Sequence, residues 1–270
     1  MEKIEKKFPV VIFMESEVPF IILSDNYEEI IGKIKQVIEW NKYKAIWGGT
    51  IDIEDRYYDT DDKILKRNQI NLRIRSINNK IPVVTLKTPG ENNKDYFNRS
   101  EIEENWSNSI FETILNELKS IETDFDISKN YYHDDPETTF MDLGLNEIMK
   151  KTSKRTLINA VVKETELREF EFALDFVSID LKNQNSINFY ELEIESKRQG
   201  NQTILKEFTT KILESPIFER WSFNKLETGL ATIYLINNDR LEKSLDIDSK
   251  NFLTGAGLEK IKLYLENNKN

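Results

Sequence analysis

Apolar and polar positions alternate with a period of two over most of the chain, in segments rich in β-branched and aromatic residues, which predicts strands with two unlike faces. Eight such segments stand out, at 2–13, 47–59, 69–76, 82–88, 97–104, 155–163, 168–179 and 188–197. Between them the spacing lengthens to that of helices. Tyr27, Ile30, Ile31, Ile34, Val37 and Ile38 share one helical face behind a capping pair, Asp25 and Glu28. Ile110, Phe111, Ile114 and Leu118 repeat that stripe, as do Ile204, Leu205, Phe208 and Ile212, and a shorter stripe of Leu258, Ile261 and Leu265 ends the chain. Such stripes are core. The polar stretch from Asp124 to Thr139 divides the strands, but no internal repeat or Pro- and Gly-rich linker supports a split into two domains. The expected organisation is one domain over 1–235 and a C-terminal extension over 236–270.

Residues i and i+2 of a strand project to the same side, so alternation also sorts the charges. Arg73 and Arg75 share a face, as do Arg99, Glu101 and Glu103, while Lys87 stands on the strand between. Glu191, Glu193, Glu195 and Lys197 all point one way, with Leu192 and Ile194 opposite. On a single strand, alternating charge reads as a solvated face. Several strands carrying the same mix of signs are explained together by a polar interior, and a barrel of about eight strands can hold a small ligand in its lumen. The fold class expected is therefore α+β, an eight-stranded antiparallel β-barrel with helices packed outside.

Composition narrows the chemistry. With 38 Lys and Arg against 48 Asp and Glu, the net charge of −10 argues against nucleic acid or an anionic membrane as partner. No apolar run is long enough for a membrane helix, and the location expected is cytoplasmic. There is no Cys, and the one His, His133, falls in a turn-like Tyr-Tyr-His-Asp-Asp-Pro stretch, which removes thiolate chemistry and multi-His metal sites. A phosphate loop of the Gly-x-x-x-x-Gly-Lys type is also missing, so any phosphate must be gripped by side chains. Lys7, Arg73, Arg75 and Lys87 suit a triphosphate, since Arg offers bidentate forks and Lys point charges. Asp175, Glu193 and Glu195 suit a hard divalent cation bridging phosphate oxygens, Mg²⁺ or Mn²⁺.

In this order the motifs resemble those of the triphosphate tunnel metalloenzymes, the CYTH superfamily. Lys3-Ile-Glu5-Lys-Lys7-Phe8 is similar to the opening Glu-x-Glu-x-Lys strand, with Lys3 standing where the first Glu is expected. Tyr57-Tyr-Asp-Thr60 and Leu72-Arg-Ile-Arg75 resemble the next signatures, followed by Thr85-Leu-Lys87 and Arg99-Ser-Glu101. Arg155, Asp175, Glu193-Ile-Glu195 and Lys225 fall where the second half of the family carries Arg, Asp, Glu-x-Glu and a late Lys. The resemblance covers residues 2 to about 230 and implies a triphosphate tunnel. It implies Glu5, Lys7 and Lys87 as catalytic residues, with Lys7, Arg73, Arg75, Lys87, Arg99, Arg155 and Lys225 binding substrate. Glu5, Asp175, Glu193 and Glu195 would hold the metal. The implied activity is hydrolysis of inorganic triphosphate, thiamine triphosphate or a nucleoside triphosphate; the alternatives are a nucleotide cyclase or a non-catalytic sensor of a phosphorylated ligand. The implied partner is a small triphosphate or nucleotide, with the protein a monomer or homodimer.

Overall fold

The computed structural model describes residues 17–40, 42–78, 80–89, 99–121, 131–181, 185–198 and 200–268. Nine strands run through them: β1 (Glu17–Ile22), β2 (Tyr43–Asp59), β3 (Asn71–Ile77), β4 (Val83–Pro89), β5 (Arg99–Asn105), β6 (Asn146–Val162), β7 (Arg168–Asp180), β8 (Ser186–Ser196) and β9 (Phe218–Arg220). The helices are α1 (Tyr27–Glu39), α2 (Ile64–Arg67), α3 (Asn108–Ile121), α4 (Pro136–Asp142), α5 (Gln202–Ile212), α6 (Lys225–Asn237) and α7 (Gly255–Asn267).

All strands join one antiparallel sheet in the order β5-β4-β3-β2-β6-β7-β8-β1-β9. This corrects the expected barrel: among the described residues no ladder joins β5 to β9, so the sheet is open, and it has nine strands. The α+β class stands. The predicted strand at 2–13, including Glu5 and Lys7, lies outside the described residues. The first strand described is instead β1, whose single Pro and short length concealed it from pattern reading. The predicted strand at 155–163 begins nine residues earlier in the structure, at Asn146.

Helices cover the outer face. α1 and α5 lay Ile30, Ile34, Ile38, Leu205, Phe208 and Ile212 on Phe20, Phe170, Phe172, Leu192 and Ile194 of the sheet. Asn26, one residue after the predicted cap, begins α1 by accepting the Glu29 N–H. α3 sets Ile110, Ile114 and Leu118 on Leu72, Ile74, Val84 and Leu86, with Phe140 of α4 filling the corner. α4 begins in the polar stretch that divides the strands; Asp135 caps it and Pro136 takes its first turn, where a missing N–H costs nothing.

The inner face has two zones. Towards one end Ile21, Val177, Ile179 and Phe189, on the same strand faces as the charges, pack with Trp221 and Phe223 against Ala231 and Leu235 of α6 and Leu258 and Ile261 of α7. Tyr57, Met149 and Leu226 continue this apolar floor. Towards the other end the inner face carries the charged side chains described below. At the far end of β2 the ladder to β6 slips at Trp47/Gly49, and Gly48 lies so close to β6 that a Cβ there would stand 2.9 Å from the Leu157 Cβ.

The C-terminal helix meets the rest of the chain at close range. A Cβ on Gly257 would fall 2.3 Å from the backbone oxygen of Asp246, whereas one on Gly255 meets nothing within 4 Å. Gly257→Ala is therefore expected to lower stability by about 2 kcal/mol through overpacking. Gly255→Ala, in the same helix, should be neutral or stabilising; thermal denaturation followed by circular dichroism compares the two.

Candidate active site

The charged zone surrounds a cavity of about 280 Å³ to which β1 to β8 and the start of α6 contribute. The register explains how. Asp55 pairs across β2 with Arg75 of β3 and Lys151 of β6, Arg155 of β6 with Asp175 of β7, and Asp175 with Glu191 of β8. Directly opposed residues share a face, so these charges converge by ladder geometry.

One wall is built by β2 to β5 and is rich in cations. Arg75 forks onto the fully buried Asp55, with Nε 2.7 Å from Oδ1 and Nη2 3.0 Å from Oδ2. Arg73 reaches Glu103 at 3.2 Å and Glu101 at 3.7 Å, and Lys87 meets Glu101 at 2.7 Å. Lys151, also buried, donates to Ser153 Oγ at 3.0 Å and stands 3.6 Å from Asp55. Burial alone would raise the Asp55 carboxyl, but the charges of Arg75, Arg73 and Lys151 hold it well below the usual range. Burial pushes Lys151 down despite Asp55.

The opposite wall, from β7, β8 and β1, is rich in carboxylates. Arg155 forks onto Asp175 with both contacts at 2.7 Å and reaches Glu193 at 3.1 Å. Lys225 lies 2.8 Å from Asp175, 3.0 Å from Glu193 and 3.9 Å from Glu191. Asn224 and Glu227 form a capping box that fixes the start of α6 and thereby aims Lys225 into the cavity. A cation at a helix N-terminus is opposed by the dipole, so these carboxylates are what hold it there. Against their own burial, Asp175 and Glu193 are kept ionised by Arg155 and Lys225, and both titrate below the usual carboxylate range. Glu191 differs. It is buried with Oε2 lacking a hydrogen-bond partner among the described residues, and burial pushes its carboxyl up to about 7 although Lys225 and Lys151 pull the other way. Glu195 is held by Lys197, which also lies 3.0 Å from Glu171.

Of the residues selected from sequence, Arg73, Arg75, Lys87, Arg155, Asp175, Glu193, Glu195 and Lys225 are thus brought together. Glu5 and Lys7 lie outside the described residues; of Arg99 only the backbone, opening β5, is described. In the sheet the position beside β8 belongs to β1, which sets Glu17, Pro19 and Ile21 opposite Glu195, Glu193 and Glu191. His133 is a surface residue bound to Asp142 at 2.7 Å. Asp59 of the Tyr-x-Asp motif caps α2 by accepting the Leu65 and Lys66 N–H groups. Sequence reasoning missed Asp55, Lys151 and Glu191 as site residues. Period-two counting back from Tyr57 reaches Asp55, and back from Arg155 reaches Ser153 and Lys151; Glu191 was in view on the Glu193 face.

The chain belongs to the CYTH domain family, whose match covers residues 29–216. No curated protein matches it by sequence. Among solved structures it is similar to an adenylyl cyclase candidate from Hippeastrum with a dominant triphosphatase activity (14% identity, TM-score 0.46, 85% of this chain and 98% of that one). An adenylate cyclase candidate from Bacillus halodurans gives 18% identity and a TM-score of 0.45, with 80% and 97% covered. The Mimivirus capping enzyme triphosphatase gives 14% identity and a TM-score of 0.37, with 74% and 88% covered.

Among the described residues no three His, Asp or Glu side chains stand ready to hold a metal ion, and Arg155 and Lys225 each contact both Asp175 and Glu193. The donor chemistry nevertheless fits a hard divalent cation. Glu191, Glu193 and Glu195 line one face of β8 with oxygen donors, and the Oε2 of Glu191 is a buried acceptor without a hydrogen-bond partner among the described residues.

Glu191 generates a pH prediction. Its carboxyl is raised from 4.5 to about 7, so the folded state holds a proton that the unfolded state releases. The associated stability is complete below pH 4.5 and is lost as pH rises through 7, on the order of 3 kcal/mol. The depressed Asp55, Asp175 and Glu193 lose theirs only at lower pH, outside this window. Glu191→Gln should therefore flatten the fall in melting temperature between pH 5 and pH 8, measured by scanning calorimetry.

Proposed function

We propose that the protein hydrolyses the terminal phosphoanhydride bond of a triphosphate-bearing small molecule bound in this cavity, with a divalent cation. The observation that carries this reading is the convergence of Arg73, Arg75, Lys87, Arg155 and Lys225 on one cavity whose far wall is made of carboxylates. Membership of the CYTH domain family supports it.

The chain's own residues divide the work. Arg73, Arg75 and Lys87 bind and orient the phosphates from the β3–β4 side, and Arg155 and Lys225 take phosphate oxygens from the other, spreading the charge that develops on the transferred group. Glu193, Glu191 and Asp175 would hold the cation, which when bound neutralises phosphate charge and lowers the pKa of water. The apolar floor keeps bulk water away from that end. Because Arg73, Arg75 and Lys87 are already fixed by Asp55, Glu101 and Glu103, little reorganisation of that wall is needed when the substrate arrives.

Phosphate release from inorganic triphosphate, thiamine triphosphate and ATP, each with Mg²⁺, Mn²⁺ or chelator, tests the proposal. Metal-dependent release from at least one is expected, and none from any rejects it. Arg73→Ala should lower kcat/KM by about 100-fold or more, the scale for one lost charge-stabilising donor. A ligand-sensing role without turnover is a second reading, favoured by Pro19 and Ile21 standing beside Glu193 and Glu191 where β1 adds no further charge. Tight triphosphate binding with no product would select it.

A further inference from the structure

The cations that would grip phosphate and the carboxylates that would grip metal are presently spent on each other. Asp175 is engaged by Arg155 through both oxygens at 2.7 Å and by Lys225 at 2.8 Å. Glu193 is engaged by the same two cations, at 3.1 and 3.0 Å. An ammonium or guanidinium nitrogen at these distances lies along the lone pairs a metal ion would need. The carboxylates sit on adjacent strands, Arg155 on β6 beside them, and Lys225 reaches them from a helix start fixed by its capping box, so the arrangement is built by four separate elements.

We propose that Arg155 and Lys225 are resident counter-ions that keep the cation site shut until a polyphosphate arrives. Phosphate oxygens compete for the two basic groups, and each contact they win releases an oxygen of Asp175 or Glu193 to a divalent cation. Cation and phosphate binding are then coupled through this pair of residues, and by linkage each raises the affinity of the other by the same factor. A divalent cation alone binds weakly because it must displace a buried, well-formed ion pair. This inference rests on the proposed site, but it concerns the order in which the site's charges are exchanged.

The exchange has a consequence that opposes the ordinary effect of damaging a site: removing a counter-ion should improve metal binding. Lys225→Met keeps the bulk of the stem and removes the charge. In the full chain, without phosphate, Mn²⁺ binding followed by electron paramagnetic resonance should tighten by about tenfold or more, the scale of coupling between close buried charges. Lys154→Met is the control for net charge alone. Lys154 neighbours Arg155 but points to the outer face, so its loss should leave the Mn²⁺ affinity within about twofold of the original.

Circular dichroism confirms that each variant is folded, and Arg155→Met provides a second opening of the same lock should Lys225→Met unfold. Affinity unchanged in folded Lys225→Met, or raised equally by Lys154→Met, overturns the proposal. The original protein binding Mn²⁺ as tightly as Lys225→Met does so too. The phosphate-release panel is independent of this measurement: release by a protein whose Lys225→Met form gains no Mn²⁺ affinity sinks the lock and leaves the hydrolase standing. A gain in affinity without release from any triphosphate does the reverse.

Discussion

Buried charge has to be answered by charge, and the inner face of this sheet is arranged around that constraint. Two Arg–Asp forks, Arg75 on Asp55 and Arg155 on Asp175, fasten neighbouring strands where water is largely excluded. An isolated carboxylate at either Asp position would be prohibitively costly, and the paired arrangement is tolerable because geometry and hydrogen bonding are both satisfied. Such pairs add little net stability compared with apolar residues of the same size. What they supply is a set of cations held at defined places before any ligand is present.

The antiparallel ladder makes this possible over a long distance. β2 and β6 are each seventeen residues long and pair along nearly their whole length. They carry the basic wall on one side, through β3 to β5, and the acidic wall on the other, through β7, β8 and β1. The helices α1, α3 and α5 supply outer packing, whereas α6 and α7 pack on the inner face, and α6 brings Lys225. Fold and site are therefore one construction: the same alternation that buries Leu192 and Ile194 outward turns Glu191, Glu193 and Glu195 inward.

Much of this was legible in the sequence because alternation is a local property. The faces of β3, β4 and β8 were readable from Arg73, Arg75, Lys87 and the Glu run, and the helical stripes from their aliphatic spacing. Burial was not legible. Nothing in the letters of Asp55 or Lys151 distinguishes a solvated charge from one sealed under a neighbouring strand, since that depends on which strands pair and in what register. Sheet closure is likewise a long-range property: eight alternating segments suggested a barrel, yet the described strands leave β5 and β9 unjoined. β1 was missed because its six residues, one of them Pro19, carry too short a pattern, and its place is set by β8 and β9 on either side.

The apolar floor, where Ile21, Val177, Phe189 and Trp221 meet α6 and α7, turns the inner face into a pouch rather than a passage at that end. An anionic ligand gains nothing by advancing into that end, so the charges above the floor also set how deep it sits.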